Sequence, residues 1–443
     1  MTTPDAETSP STLPGKAPLS PGAKLPGGRR PLSPGALLAT LTALNVLAFV
    51  DRQLVVTLAP LLIQDLGLTR AEIGLLVGAS FIVVFAGLNL ILGAAADRFS
   101  RPRLIAGGLA VWSVATTLTA AVGGFVQMAV LRIGVGVGEA ALSPAAISML
   151  GDQFPPHRRG LASSIFYTGI PLGFACSFLL AGSLGPWLGW RACFVVLGVF
   201  GLVAVLTVSR MADTPRRGVG GEAAAPGVRA FARGLGRALA ERPALALVSL
   251  AGVLLAFMSS ASQHTITWLV EERGFEYSRA AFLSAAMVAG GGLLGNLAVG
   301  ALTDWWRRRH PAGRLVGMAV LAVLAAPVVA GFYRVPPASS LFVPLWFLSQ
   351  AWMLGWFGPV LAALDELAPP GLRATVLGFG LLAVNLFGVA PGPYVAGLIG
   401  DRVDLTVGLL ASLGVGVSAV FPLLAAAWLE RRSFASISGR DGV

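Results

Sequence analysis

Apolar runs of about 20 residues recur along this chain, separated by short joints that carry Gly, Pro and charge. About 20 residues is the length a helix needs to cross the hydrocarbon of a bilayer. Windows of that length predict six spans in the first half, over 35–63, 71–96, 103–123, 125–150, 159–184 and 188–210. Six more follow over 244–270, 279–304, 313–334, 340–364, 372–400 and 405–429. The stretch 211–243 between the halves is polar and contains Pro215, Pro226 and Pro243. A backbone in lipid must satisfy its own hydrogen bonds, so the predicted fold class is an all-α membrane protein with twelve transmembrane helices.

The basic residues set an orientation. Placing the N-terminus inside puts 24 of the 32 Lys and Arg in loops on that side and six on the other, leaving Arg52 and Arg132 within spans. Both termini are therefore expected to be cytoplasmic, in a bacterial inner membrane. The domains expected are a disordered cytoplasmic tail over 1–34, a six-helix bundle over 35–211, a cytoplasmic linker over 212–243, a second bundle over 244–430 and a tail over 431–443. The first 34 residues are rich in Pro, Ser and Gly and have no apolar core of the signal-peptide type, so the first span is expected to act as an uncleaved anchor.

Composition agrees with this picture: 55% of the residues are hydrophobic and 12% charged, about half the charge of a soluble protein. The net charge of +11 is spread among the loops and does not form one patch, which argues against a nucleic-acid partner. Cys176 and Cys193 lie in apolar segments and read as small core residues. No Gly-Lys-Ser/Thr phosphate loop and no Cys/His metal spacing is present. No cofactor, no metal and no enzymatic activity are expected, and the proton motive force is the expected source of energy.

The halves repeat. Gly93, Asp97, Arg98 and Arg101 follow the second span, and Gly300, Asp304 and Arg308 follow the eighth, with Gly, Asp and Arg at matching offsets. Pro155-Pro156 with Arg159 opens span five, and Pro369-Pro370 with Arg373 opens span eleven. The order of the two repeats indicates duplication.

Charge inside a span is the feature that points to function, because each such residue costs roughly 2.5–3.5 kcal/mol on insertion scales. Asp51 and Arg52 sit mid-span, with Asn45 two turns earlier. Arg132, Gly136 and Glu139 lie four and three residues apart on one face of the fourth span. Arg132 and Glu139 are about 10 Å apart along the axis, so they can bracket the Asp51/Arg52 level. The four charges sum to zero. Two readings of this set stand: a static lock between helices 1 and 4, or a relay in which Asp51 or Glu139 carries a proton. A carboxylate that alternates between wet and dry surroundings holds its proton more firmly when dry. An Arg keeps its proton, and would compete for the carboxylate or hold an anionic substrate.

Six plus six helices with Gly-x-x-x-Asp-Arg-x-x-Arg after the second span resemble the major facilitator superfamily over residues 35–430. Asn45, Asp51-Arg52 and the helix-4 run from Arg132 to Ala140 resemble the Spinster-type transporters, with the anion–cation symporters as the close competitor. The resemblance implies two duplicated bundles, alternating access, and a role for Asp51, Arg52 and Glu139 in coupling or binding. It implies that helices 1, 4, 7 and 10 line the cavity, so Asn45, Gly136, His264, Trp268, Gln350 and Trp352 become candidate substrate contacts. It also makes Gly93, Asp97, Arg98, Arg101, Asp152, Gly300, Asp304 and Arg308 a candidate cytoplasmic gate, with Asp97 facing the start of helix 11 and Asp152 pairing with Arg98 or Arg101. Ser100 and Pro102 depart from the usual pattern of that loop.

The expected function is secondary transport of an amphipathic lipid-like or organic anion. Proton-linked symport of a small organic acid is the alternative, and a non-transporting membrane sensor the remote one. The lipid bilayer and the small-molecule substrate are the expected partners, and the protein is expected to be monomeric. Gly169, Pro171 and Gly173 suit either a partial antiporter-type motif or an ordinary kink. Val228, Phe231, Leu235 and Leu239 alternate with Arg229, Arg233 and Arg237, which predicts an amphipathic helix on the inner leaflet or a topology-setting basic linker.

Overall fold

The computed structural model describes residues 32–214, 228–310, 312–369 and 371–438, and no strand occurs among them. The tail expected over 1–34 and much of the linker lie outside the described residues. Ten helical stretches are long and apolar enough to cross a membrane. One of them, Pro156–Ser209, is 54 residues long and breaks at Gly189, whose φ of 78° is a left-handed value that suits Gly. A further 19-residue helix, Arg101–Thr119, packs beside it. Among the described residues, and apart from the linker helix, the helices can be divided into twelve rods.

In the first half these are α1 (Pro34–Leu66), α2 (Arg70–Val77, continuing as Ala79–Arg98), α3 (Arg101–Thr119), α4 (Phe125–Gln153), α5 (156–189) and α6 (190–209). In the second half they are α7 (Ala244–Glu271), α8 (Tyr277–Arg309), α9 (Gly313–Arg334), α10 (Phe342–Leu367), α11 (Arg373–Ala383, continuing to Pro391–Arg402) and α12 (Leu405–Arg432). Each rod starts and stops where local chemistry dictates. Ser33 caps α1 through the N–H of Ala36, and Gly67 ends it at φ 64°. Thr69 and Glu72 cap α2 reciprocally. The turn widens to π geometry at Val288–Gly292 in α8 and at Val384–Val389 in α11.

Rods α1–α6 pack on one another, as do α7–α12. Small residues bring the backbones together. A Cβ added at Gly138 of α4 would lie 2.4 Å from the Gly108 carbonyl oxygen of α3, and one at Gly295 of α8 would lie 2.2 Å from Ala351 Cα of α10. Gly169 and Gly173 do the same for α5 against Asn45 and Phe49 of α1, so that run is a packing surface.

The bundles meet along α2 against α11, α5 against α8 and α1 against α7. Both ends of the described chain lie at one face, termed here the terminal face, and the opposite face is the distal one. Among the described residues, hydrogen bonds and ion pairs join the bundles in the distal half: Arg70 with Glu271, Asp401 and the Gly400 carbonyl, the Ala71 N–H with Asp401, and Tyr277 with the Thr57 carbonyl. Among the described residues, the bundles are therefore fastened to one another at the distal face.

The linker helix, Val228–Glu241, docks on the second bundle. Ala238 is fully buried, Leu239 is partly buried, and Gly234 stands against Leu372 and Thr375 at the start of α11. Ala238 and Leu239 therefore rest on protein, and the side chains of Val228 and Phe231 lie outside the described residues.

Candidate functional site

The four charges of α1 and α4 meet as two ion pairs. Arg132 Nη1 donates to Asp51 Oδ1 at 3.0 Å, and Arg52 Nε donates to Glu139 Oε2 at 2.5 Å. Asp51, Arg132 and Glu139 are each 1% exposed or less. The pairs differ in how fully they are satisfied. Asp51 Oδ2 also accepts the Thr116 hydroxyl from α3, so both its oxygens are engaged. Glu139 Oε1 is buried and has no partner. Arg52 keeps 19% of its side chain exposed, and its Nη1 and Nη2 find no acceptor among the described residues.

Three phenyl rings surround that guanidinium. Its carbon lies 4.2 Å from the ring centre of Phe85, 4.6 Å from Phe49 and 5.0 Å from Phe81. Such faces stabilise a cation by about 0.5–2 kcal/mol each and leave its outer hydrogen-bonding edge free. Gly136 admits Phe81 here: a Cβ on it would sit 3.1 Å from the Phe81 carbonyl oxygen. The arrangement can hold an anion at Arg52 and a proton at Glu139.

Four of the candidate substrate contacts pack elsewhere in this conformation. Asn45 is 1% exposed and donates to the Phe166 carbonyl at 2.8 Å, tying α1 to α5. His264, also 1% exposed, bonds the Pro393 carbonyl through Nε2 at 2.8 Å. Trp268 is fully buried among Phe332, Tyr333 and Phe342, with Nε1 donating to Thr406. Trp352 is 5% exposed in the core of the second bundle. Large aromatic and amide groups gain more from packing and paired hydrogen bonds than from facing water. Gln350 stays half-buried on α10 opposite Gly291 of α8.

The gate residues divide. Arg101 is 1% exposed and bonds Asp152 of α4 at 2.5 Å and Asp213, just beyond α6, at 3.0 Å. Arg98 and Arg308 are exposed, and the side chain of Asp97 lies outside the described residues. Neither glycine makes a close approach: the nearest atom to a Cβ on Gly93 is 3.8 Å away, and Gly300 has nothing within 4 Å. The repeat pairs Arg101 with Arg308, but it is Arg314, at the start of α9, that bonds Asp304 at 2.7 Å and Glu366 at 2.9 Å. Six extra residues in the second loop displace the Arg from its matching offset.

Sequence reasoning also passed over Thr116, the three phenyl rings and the distal lock of Arg70, Glu271 and Asp401. The lock residues carried a signal, since they are charges at predicted span ends. Thr116 and the rings are ordinary residues of apolar spans and carried none.

Residues 41–393 match the family model described as Major Facilitator Superfamily. An MFS-type efflux pump of Mycolicibacterium smegmatis is 31% identical over 85% of this chain and 86% of its own length. Protein spinster homolog 1 of Homo sapiens is 28% identical over 83% of this chain and 73% of its own. Among solved structures, a bacterial homolog of the human lysosomal transporter Spinster, inward-facing and unoccupied, superposes with a TM-score of 0.76 at 23% identity, covering 91% of this chain and 98% of that one.

Proposed function

The chain belongs to the major facilitator superfamily of membrane transporters, and from that premise we propose that it is a proton-coupled secondary transporter of an amphipathic organic or lipid-like anion. It sits in a bacterial inner membrane with the terminal face cytoplasmic, which makes the described conformation inward-facing. Arg52 receives the anionic group, Glu139 carries the proton, and Asp51 with Arg132 holds the two helices in register.

The observation that carries this reading is the unequal satisfaction of the two pairs. In the Asp51–Arg132 pair both carboxylate oxygens are engaged, one by Arg132 and one by Thr116, and both side chains are buried, while Arg132 Nε lacks a partner. The Glu139–Arg52 pair has one carboxylate oxygen without a partner and one guanidinium edge open to solvent. Deprotonated Glu139 holds Arg52 by Coulomb attraction, which is strong in a dry site. A proton on Glu139 removes that attraction and frees the guanidinium for the substrate anion. Affinity for the anion therefore falls as pH rises and the deprotonated carboxylate reclaims Arg52. Phe49, Phe81 and Phe85 around the receiving cation favour a substrate with apolar bulk next to its charge over a compact acid.

The test is flux in vesicles of the purified protein under a proton gradient of either sign, with alkyl-chain and short-chain carboxylates as cargo. Glu139→Gln is expected to leave anion binding strong and independent of pH while abolishing gradient-driven flux. Arg52→Ala is expected to lower anion affinity at least tenfold. Flux indifferent to the gradient and to both substitutions would overturn the proposal, and preference for the short-chain acids would return the small-acid symporter reading.

A further inference from the structure

Arg101 and Arg314 hold the same station in the two bundles, at the first turn of the third rod of each, yet they are not equally satisfied. Arg101 engages every nitrogen of its guanidinium: Nε with Asp213, Nη1 with Asp152 and Ser148, and Nη2 with the carbonyl and hydroxyl of Thr214. The chain leaving α6 folds back and plugs the site. Arg314 bonds Asp304 through Nη1 and Glu366 through Nη2, but its Nε is buried without a partner, and the residue is only 9% exposed.

Among the described residues, no plug stands in the second bundle. A cavity of about 110 Å³ takes its place, lined by Arg242, Arg307, Arg314, Glu366 and Glu430 over an apolar floor. Glu430, near the end of α12, is placed to supply the missing acceptor but lies instead beside Arg242, 3.6 Å from its Nη1. Glu366 is already shared between Arg307 and Arg314.

We propose that this cavity binds a phosphate group, with Arg314 Nε, Arg307 and Arg242 as its donors. Three guanidiniums and two carboxylates line the cavity, with Asp304 bonded to Arg314 behind it, and every carboxylate already lies beside an Arg side chain, which leaves Arg314 Nε as the unmatched buried donor. An unmade hydrogen bond from a buried charged donor is costly, and an oxyanion with several acceptor oxygens satisfies it while bridging neighbouring Arg side chains. The group is either free inorganic phosphate or the phosphodiester of a lipid lying against the terminal face. Arg242 lies just beyond the linker helix, so the bound phosphate would fasten the linker to the second bundle as Asp213 and Thr214 fasten the first.

Full-length protein purified in neutral detergent and phosphate-free buffer is titrated with inorganic phosphate by calorimetry, and native mass spectra are recorded after exchange into phosphatidylglycerol. Binding of inorganic phosphate, weakened at least tenfold in Arg242→Gln and in Arg307→Gln, identifies the free anion. Retention of phosphatidylglycerol by the parent protein but not by those variants, with no response to inorganic phosphate, identifies the lipid. Both substituted side chains are substantially exposed, at 45% and 39%, so the variants should fold even where Arg314→Gln does not. Arg237→Gln, which breaks only an exposed pair within the linker helix, serves as the control. Absence of binding by either phosphate source overturns the proposal, and so does binding that all three variants leave unchanged.

Discussion

Asp51 and Glu139 are chemically alike, equally buried and each paired with an Arg, so their difference lies in the atoms around them. Removing the charge of Asp51 strands Arg132 in a dry interior, where its Nε already lacks a partner. Breaking a buried pair in this way typically costs about 3–5 kcal/mol. Removing the charge of Glu139 leaves Arg52 partly solvated and surrounded by three aromatic rings. Asp51→Asn is therefore expected to lower the thermal stability of the detergent-solubilised protein by several degrees more than Glu139→Gln. Equal losses would contradict the division into a holding pair and a working pair. The residues of this set were legible in the sequence because charge within an apolar span is expensive and rare. Their pairing was not: helix 1 offers an acid and a base side by side, and helix 4 offers a base and an acid two turns apart. Only the rotation of each rod chooses between the two matchings.

The elements are joined by glycines whose importance depends on what stands opposite them. A Cβ on Gly74 of α2 would lie 2.4 Å from the Pro393 carbonyl oxygen and 2.5 Å from Tyr394 N of α11, backbone atoms that cannot swing aside. Gly107, on α3, has nothing within 4 Å. Gly74→Val is expected to hold α2 and α11 apart and prevent distal closure, reducing vesicle flux at least tenfold, whereas Gly107→Val should stay within about twofold of the parent. Similar flux from the two variants would show that the α2–α11 contact is not part of the transport cycle. The rods themselves follow from apolar length and capping residues, and their predicted bounds lie within a few residues of the helices. Asn45, His264, Trp268 and Trp352 were expected on a cavity wall because of the helices that carry them. Asn45, His264 and Trp268 instead turn toward neighbouring rods, where a carbonyl, a hydroxyl or a cluster of rings compensates their burial, and Trp352 packs in the apolar core.

At the scale of the whole molecule, the distribution of basic residues and the distal closure make one proposal about direction. The face at which the described chain begins and ends is the one whose loops are expected to hold most of the Lys and Arg, and the opposite face is fastened by Arg70, Glu271 and Asp401. A green fluorescent protein fused after Val443 is expected to fluoresce, and alkaline phosphatase inserted at Gly274, between α7 and α8, is expected to be active. The reverse pattern would invert the membrane and make the described state outward-facing.

The sequence by itself determined the rods, the twofold repeat, the polar linker and the presence of four compensating charges. These depend on sums over a local window, namely apolar length, charge and the identity of capping residues. Which carboxylate pairs with which Arg, which glycines touch a neighbour, and at which face the bundles are fastened were decided by the tertiary structure alone. A membrane helix is apolar on its lipid side and on its packed side alike, so its pattern fixes how far it reaches and leaves its rotation to be settled by the helices around it.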